Sequence, residues 1–245
     1  SEVKPRPERK APRITPETVI HGVFLSAGLI TVGCVLIISV YLIAAGLPAI
    51  KEIGLVKFLF GTKWSSTSAE PSFGILPFIL TSIYGTAGAV VIGVPIGFFT
   101  AVYTAKFAPA AVKKLIIGAV SLLAGIPSVV YGLVGMTVLV PLIGRTFNLS
   151  DGAGLLAAMV VLAVMILPSV IKVSVTALEA VPREYEEGSL ALGATPEETC
   201  FRVSVPAAKS GIAAAVVLGV GRAIGEAMAV MMVSGNASNM PRLFE

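Results

Sequence analysis

The stretch Pro182–Pro206, PREYEEGSLALGATPEETCFRVSVP, is the longest polar interruption between apolar segments in the second half of the chain. It carries its own helix punctuation. Pro182 suits a first helical turn, and Glu184, Glu186 and Glu187 sit where negative charge complements the helix dipole. Gly193 is placed to end that helix in the left-handed conformation open to glycine. Thr195 reads as the N-cap of a second helix, with Pro196 at its first position and Glu198 completing a capping box. Pro206 stops that helix or kinks the entry to the next apolar segment. The punctuation predicts a short helix-turn-helix between two greasy segments. A loop so well specified reads as a docking element for a cytoplasmic partner.

The flanks of this loop set the class. The chain of 245 residues is 56% hydrophobic and only 13% charged, about half the charge of a soluble domain. Mean hydropathy is +0.92. This is the composition of an integral membrane protein, all-α, a polytopic helical bundle. The net charge of +4 is not a nucleic-acid signal, because the basic excess lies in the first residues and in loops, as membrane topology asks.

Upstream of the loop, four apolar runs are expected to span: about 19–45, 73–105, 115–143 and 154–171. Gly46-Leu47-Pro48 is expected to end the first. Gly93, Pro95 and Gly97 are expected to bend the second. Gly125-Ile126-Pro127-Ser128 interrupts the third, and Pro168 falls near the end of the fourth. Downstream, about 211–234 gives a fifth. Between the first two spans, the apolar segment Ile53–Phe60 is too short to cross; with Trp64 beside it, it reads as interfacial or as a plain loop. Residues 1–18 form a proline-rich basic tail, expected to be disordered and near anionic lipid.

Basic residues fix an expected orientation. With the tail inside, the inner segments hold Lys4, Arg6, Arg9, Lys10, Arg13, Lys106, Lys113, Lys114, Lys172, Arg183, Arg202 and Lys209. The outer ones hold Lys51, Lys57, Lys63, Arg145 and Arg242. Twelve against five favours a cytoplasmic amino terminus, which places the Pro182–Pro206 loop in the cytoplasm.

Within the fifth span, Gly221-Arg222-Ala223-Ile224-Gly225-Glu226 sets an arginine and a glutamate four apart, on one face of the span. Each costs at least about 2.5 kcal/mol near the centre of a bilayer and marks a pathway or a buried pair. Two readings stay open. Either the two form an ion pair that helps the helix pack, or Arg222 lines a route for an anion with Glu226 holding or gating it. The planar guanidinium donates two parallel hydrogen bonds, which suits an oxyanion such as phosphate. Gly221 and Gly225 form a small-xxx-small pair that lets another helix come close. No phosphate loop, HExxH or CxxC pair is present, and the single histidine, His21, leaves no Ser-His-Asp set. No catalytic residue, metal site or cofactor is therefore expected. Cys34 and Cys200 read as two free thiols.

The loop also carries a resemblance. Glu187-Gly188-Ser189, three residues, Gly193, nine residues and Val203-Ser204-Val205-Pro206 match the spacing of the EAA motif of ABC importer permeases. Two alanines of that pattern stand here as Gly188 and Ser189, and its aliphatics as Val203 and Val205. Gly46–Ala49, Phe58–Trp64, Ala124–Gly132, Glu187–Ala194 and Gly221–Val230 resemble the phosphate-specific permeases, the PstC family more closely than its PstA paralogue. The resemblance covers roughly residues 19–241 and implies a type I (MetI-like) permease domain over 19–245, with 182–206 as its coupling loop. It implies a subunit of an ATP-driven phosphate importer in the bacterial or archaeal plasma membrane, with ATP hydrolysis left to another subunit. The implied partners are a second, PstA-like permease, two copies of an ABC ATPase, an extracytoplasmic phosphate-binding protein and inorganic phosphate. The same resemblance assigns ATPase coupling to Glu187, Gly188, Ser189, Gly193 and Pro206, and the substrate pathway to Arg222 and Glu226. Permeases of this family have six spans, so the resemblance also implies that the sixth would follow Glu245 and that the sequence is truncated. One arginine suits sulfate or molybdate as well as phosphate. A signalling scaffold that reports phosphate status, and an ion channel, are the readings from other classes.

Overall fold

The computed structural model describes residues 16–235 apart from 69 and 150, and it divides into two units at Phe58/Leu59. The basic tail up to residue 15, and Arg242, lie outside the described residues. The first unit is α1 (Pro16–Ile53) with the start of α2 (Leu55–Phe60). Helix α1 is long and apolar enough to cross a membrane, and it exposes large aliphatic side chains all round. It does not end at Gly46-Leu47-Pro48. Pro48 is accommodated inside the helix, which stops only before Gly54, where φ is +87°. A proline removes one hydrogen bond, whereas the left-handed glycine redirects the chain.

The second unit opens on a small antiparallel hairpin that the sequence reading missed: β1 (Trp64–Ser65) pairs with β2 (Ser72–Phe73). The Trp64 ring meets Phe73 and Phe78 edge-on, at centroid distances of 5.5 and 5.8 Å. Helix α3 (Leu76–Val102) then runs unbroken through Gly93, Pro95 and Gly97 and closes in a wide π-turn, Tyr103–Phe107.

The third span is interrupted where expected. Helix α4 (Ala110–Gly125) stops at Ile126–Pro127, and α5 (Ser128–Val134) continues through a π-turn into α6 (Val140–Phe147). Helix α7 (Leu155–Glu179) carries Pro168 inside it and extends two turns beyond Ile171, because Lys172, Ser174 and Thr176 do not break a helix and Pro182 does. Val120 of α4 packs with Ile171 and Val175 near one end of α7, and Ile143 of α6 with Ala157, Ala158 and Val161 near the other. The α4–α6 chain thus makes one traverse of the layer that α7 crosses alone, which preserves the five-span reading.

Helix α7 is the axis of the second unit, clamped by small residues on two sides. On α3, Gly85, Ala89, Gly93, Gly97 and Ala101 recur every four residues and all are buried. A Cβ at Gly93 would stand 2.8 Å from Ile166 Cδ1 and 2.9 Å from the Ala163 carbonyl, and one at Gly97 would stand 2.8 Å from Val170. Gly93 and Gly97 therefore serve close approach, with the helix running on through both. From the other side, Gly211, Ala215, Gly219 and Ala223 of α11 (Lys209–Ile224) form a matching row: a Cβ at Gly211 would collide with Ala177, and one at Gly219 would meet Val170 at 3.1 Å. Without a hydrophobic drive between helices in lipid, such interlocking supplies the association energy.

The fifth span departs most from expectation. It begins with a 70° bend between Pro196–Ala207 and α11, at Ala208, two residues beyond Pro206. It is also broken a second time: α11 ends at Ile224, and α12 (Met228–Val233) restarts after Gly225-Glu226-Ala227. Four helices of the described residues are long and apolar enough to span, and the bent pair makes a fifth.

Candidate functional site

Two places concentrate the polar chemistry. The first is the loop. Helix α8 (Arg183–Ala191) starts just after Pro182, and Gly193 ends it at φ +85°. The Gly193 amide donates to the Leu190 carbonyl at 3.0 Å and the Ala194 amide to the Ser189 carbonyl at 3.3 Å, the paired closure of a Schellman motif. Helix α9 (Pro196–Thr199) opens on the predicted capping box: Glu198 N–H donates to Thr195 Oγ1, and Thr195 N–H to the Glu198 carboxylate, both at 3.2 Å. Because Pro206 has no N–H to offer the carbonyl at 202, the chain widens into a π-turn over Cys200–Ser204, with Val205 N–H reaching Cys200. The short α10 (Val205–Ala207) leads to the bend.

Within the loop, neighbouring glutamates face different ways. Glu187, Gly188 and Gly193 are exposed, and nothing lies within 4 Å of a Cβ built on either glycine. Ser189 is half-buried and shares a 2.9 Å hydrogen bond with the Thr199 hydroxyl. Glu186 turns inward. It forms an ion pair with Lys106 at the foot of α3 and accepts the Ser204 hydroxyl at 2.7 Å. Burial opposes its ionisation, but the hydrogen bonds from Lys106 and Ser204 and the charges of Lys106 and Arg183 outweigh that and lower its pKa. Sequence reasoning missed this contact. Lys106 was visible as the first charge after an uncharged run, but nothing in the pattern singled out Ser204.

The second place is the break in the fifth span. Arg222 and Glu226 are both half-buried, but they do not share a helical face. Arg222 sits in the last turn of α11, while Glu226 lies in the non-helical link and caps α12, its Oε1 accepting Ala229 N–H at 3.0 Å. Glycine at 225 weakens the helix and the carboxylate offers the next one a start, so the chain restarts instead of continuing. The ion pairs among the described residues are Lys106–Glu186 and Lys113–Glu179; Arg222 and Glu226 do not form one. Gly221 has open space around it, and the only atoms near a Cβ on Gly225 are the helix's own, so the small pair receives no helix among the described residues. Across from this break lies the other one. Helix α5 packs on α12, where a Cβ at Gly132 would stand 3.0 Å from Ala229 Cα. The Tyr131 hydroxyl, within electrostatic range of Arg222, donates to the Leu123 carbonyl at 2.8 Å and so ties α4 to α5 over the Ile126–Pro127 interruption. Cys34 is exposed, Cys200 is buried, and both are free.

Comparison with known proteins bears on this arrangement. Residues 93–243, from mid-α3 through the loop and both breaks, match the model of a family described as binding-protein-dependent transport system inner membrane component. The chain belongs to that family. It is an ABC importer permease, a multi-pass subunit of the inner membrane and a transport protein of a non-catalytic family. The permease is 40% identical over 88% of its length to a probable ABC transporter permease protein, YqgH, of Bacillus subtilis, of which it spans 71%. It is 31% identical over 90% of its length to the phosphate transport system permease protein PstC of Mesorhizobium japonicum, spanning 72% of that protein. With the PstC of Haemophilus influenzae the identity is 36%, over 83% of this permease and 70% of that one. These likenesses make it a PstC-type permease.

Proposed function

We propose that this permease carries inorganic phosphate, with Arg222 as the cation of the anion route. One observation carries the reading: within a membrane bundle, the Arg222 guanidinium has no carboxylate partner among the described residues, although Glu226 is only four residues away. An intramembrane arginine without an internal counter-charge is stabilised by an anion that visits it. Glu226, engaged by the Ala229 amide, holds the link between α11 and α12 rather than neutralising the arginine. Helix breaks of this kind accompany substrate sites in transporters, and Tyr131 bridges the neighbouring one.

The Pro182–Pro206 loop is the docking element for a separate ABC ATPase, through the exposed surface around Glu187, Gly188, Ser189 and Gly193, with Pro206 leading into the bend. Two ATPase copies, a second, PstA-like permease and an extracytoplasmic phosphate-binding protein complete the importer. The amino terminus is cytoplasmic, an orientation supported by the twelve-to-five distribution of basic residues. Closure of the ATPases moves the loop, the loop moves α11, and Arg222 is exposed to each side in turn.

The test is uptake of radiolabelled phosphate by the complete transporter in proteoliposomes. ATP-dependent uptake suppressed by unlabelled phosphate, and untouched by equal sulfate or molybdate, is the expected result. Equal suppression by sulfate or molybdate assigns another oxyanion, and uptake without ATP overturns the importer reading.

A further inference from the structure

Glu186 stands where three segments meet. It projects from α8, its carboxylate holds Lys106 at the foot of α3, and the same carboxylate oxygen accepts the hydroxyl of Ser204 just before the bend into α11. Both partners lie in π-turns, Tyr103–Phe107 and Cys200–Ser204, where the helix is wider than usual and its backbone bonding is irregular. Beneath the carboxylate lies an apolar core drawn from the same segments and from α7: Val102, Leu178, Val181, Cys200 and Ala208. A second ion pair in the same corner, Lys113–Glu179, links α4 to α7, but its side chains are 40% and 42% exposed against 15% and 25% for Lys106 and Glu186. Exposed pairs are worth little, whereas a shielded, hydrogen-bonded one resists separation.

We propose that Glu186 is the positioning residue that makes the loop, the foot of α3 and the start of α11 move as one body. Glu187 beside it is exposed and free to meet a partner, so the two glutamates divide the work: one faces the ATPase and the other holds the membrane helices. Without the Glu186 joint the loop would still dock, but its displacement would be taken up by the two π-turns instead of reaching α3. This rests on the reading of the loop as the ATPase-coupling element.

The experiment uses the complete transporter in proteoliposomes and measures phosphate moved per ATP hydrolysed. Glu186→Gln, which keeps the shape and loses the charge, is expected to retain the ATPase on purification and to lower that ratio threefold or more, about the size of a coupling energy between groups in one network. The charge-swapped double variant Lys106→Glu with Glu186→Lys is expected to recover most of it. Ser204→Ala, which removes one hydrogen bond and no charge, is read in the same way if Glu186→Gln does not assemble. A ratio unchanged from wild type in whichever variant assembles overturns the proposal. A cargo-independent arm measures the distance between spin labels on Tyr103, at the foot of α3, and Ala191, both exposed, in a chain with Cys34 and Cys200 replaced. A single narrow distance through ATP binding that broadens in Glu186→Gln supports the joint; equal breadth in both contradicts it. A wild-type transporter that keeps the narrow distance and hydrolyses ATP but moves no phosphate breaks the reading of the cargo and leaves the joint standing.

Discussion

The two ends of α11 are built on opposite rules. At its start the side facing α7 is closed. Gly211 leaves no room for a methyl group against Ala177, and the carboxylate of Glu186 just beyond is met by a lysine and a hydroxyl. At its end one side is open, although Ala223 on the other stays buried. Gly221 has nothing within 4 Å, the helix stops at Ile224, and Arg222 has no carboxylate partner among the described residues although one is near in sequence. Where a charge is matched inside the protein, it serves as structure; where the fold leaves one unmatched in a membrane, it is available to a ligand. On the proposed function, the same helix joins a rigid grip to the arginine of the anion route, an arrangement suited to ATP-driven transport.

The sharpest way to break this contrast is through glycine. Gly211→Leu places a side chain against Ala177 in the closed region. It is expected to destabilise the protein by about 1–3 kcal/mol or more, read as a lowered apparent unfolding temperature in detergent. Gly221→Ala, in the open region, is expected to leave that temperature unchanged or slightly raised. Equal losses at both positions would erase the distinction.

A smaller effect is expected from pH. Glu186 faces Lys106, Arg183, Ser204 and the Cys200 thiol. Burial raises its pKa, but the hydrogen bonds and positive charges prevail, so the folded value lies below that of the unfolded chain. The folded state then binds this proton more weakly. Its contribution to stability is full above the ordinary carboxylate pKa and is lost as pH falls through the lowered folded value. The unfolding temperature of Glu186→Gln is expected to be less sensitive to acid than that of wild type; identical acid profiles would mean that Glu186 contributes no such linkage.

Much of the fold was legible because its signals are local. Gly193 and the Thr195–Glu198 box act within a few residues, and the structure returns both with the predicted hydrogen bonds. The interruption at Gly125–Ser128 was legible for the same reason. The polar contacts across the bundle were not. Glu186 meets Lys106 eighty residues away, and no periodicity in one helix encodes its partner in another. The four-residue spacing of Arg222 and Glu226 misled because it presumes an unbroken helix, whereas Gly225 and the capping carboxylate of Glu226 end one helix and start the next. Gly46-Leu47-Pro48 misled in the opposite sense, since a proline costs one hydrogen bond and α1 absorbs it.

Arg222 is the centre of the proposed route, and ATP-driven phosphate uptake by the complete transporter carrying Arg222→Ala tests it most directly. The predicted result is uptake reduced tenfold or more, about the loss from removing one charged contact to an anion, with the ATPase still co-purifying and the unfolding temperature retained. Uptake at the wild-type rate under limiting phosphate would contradict it.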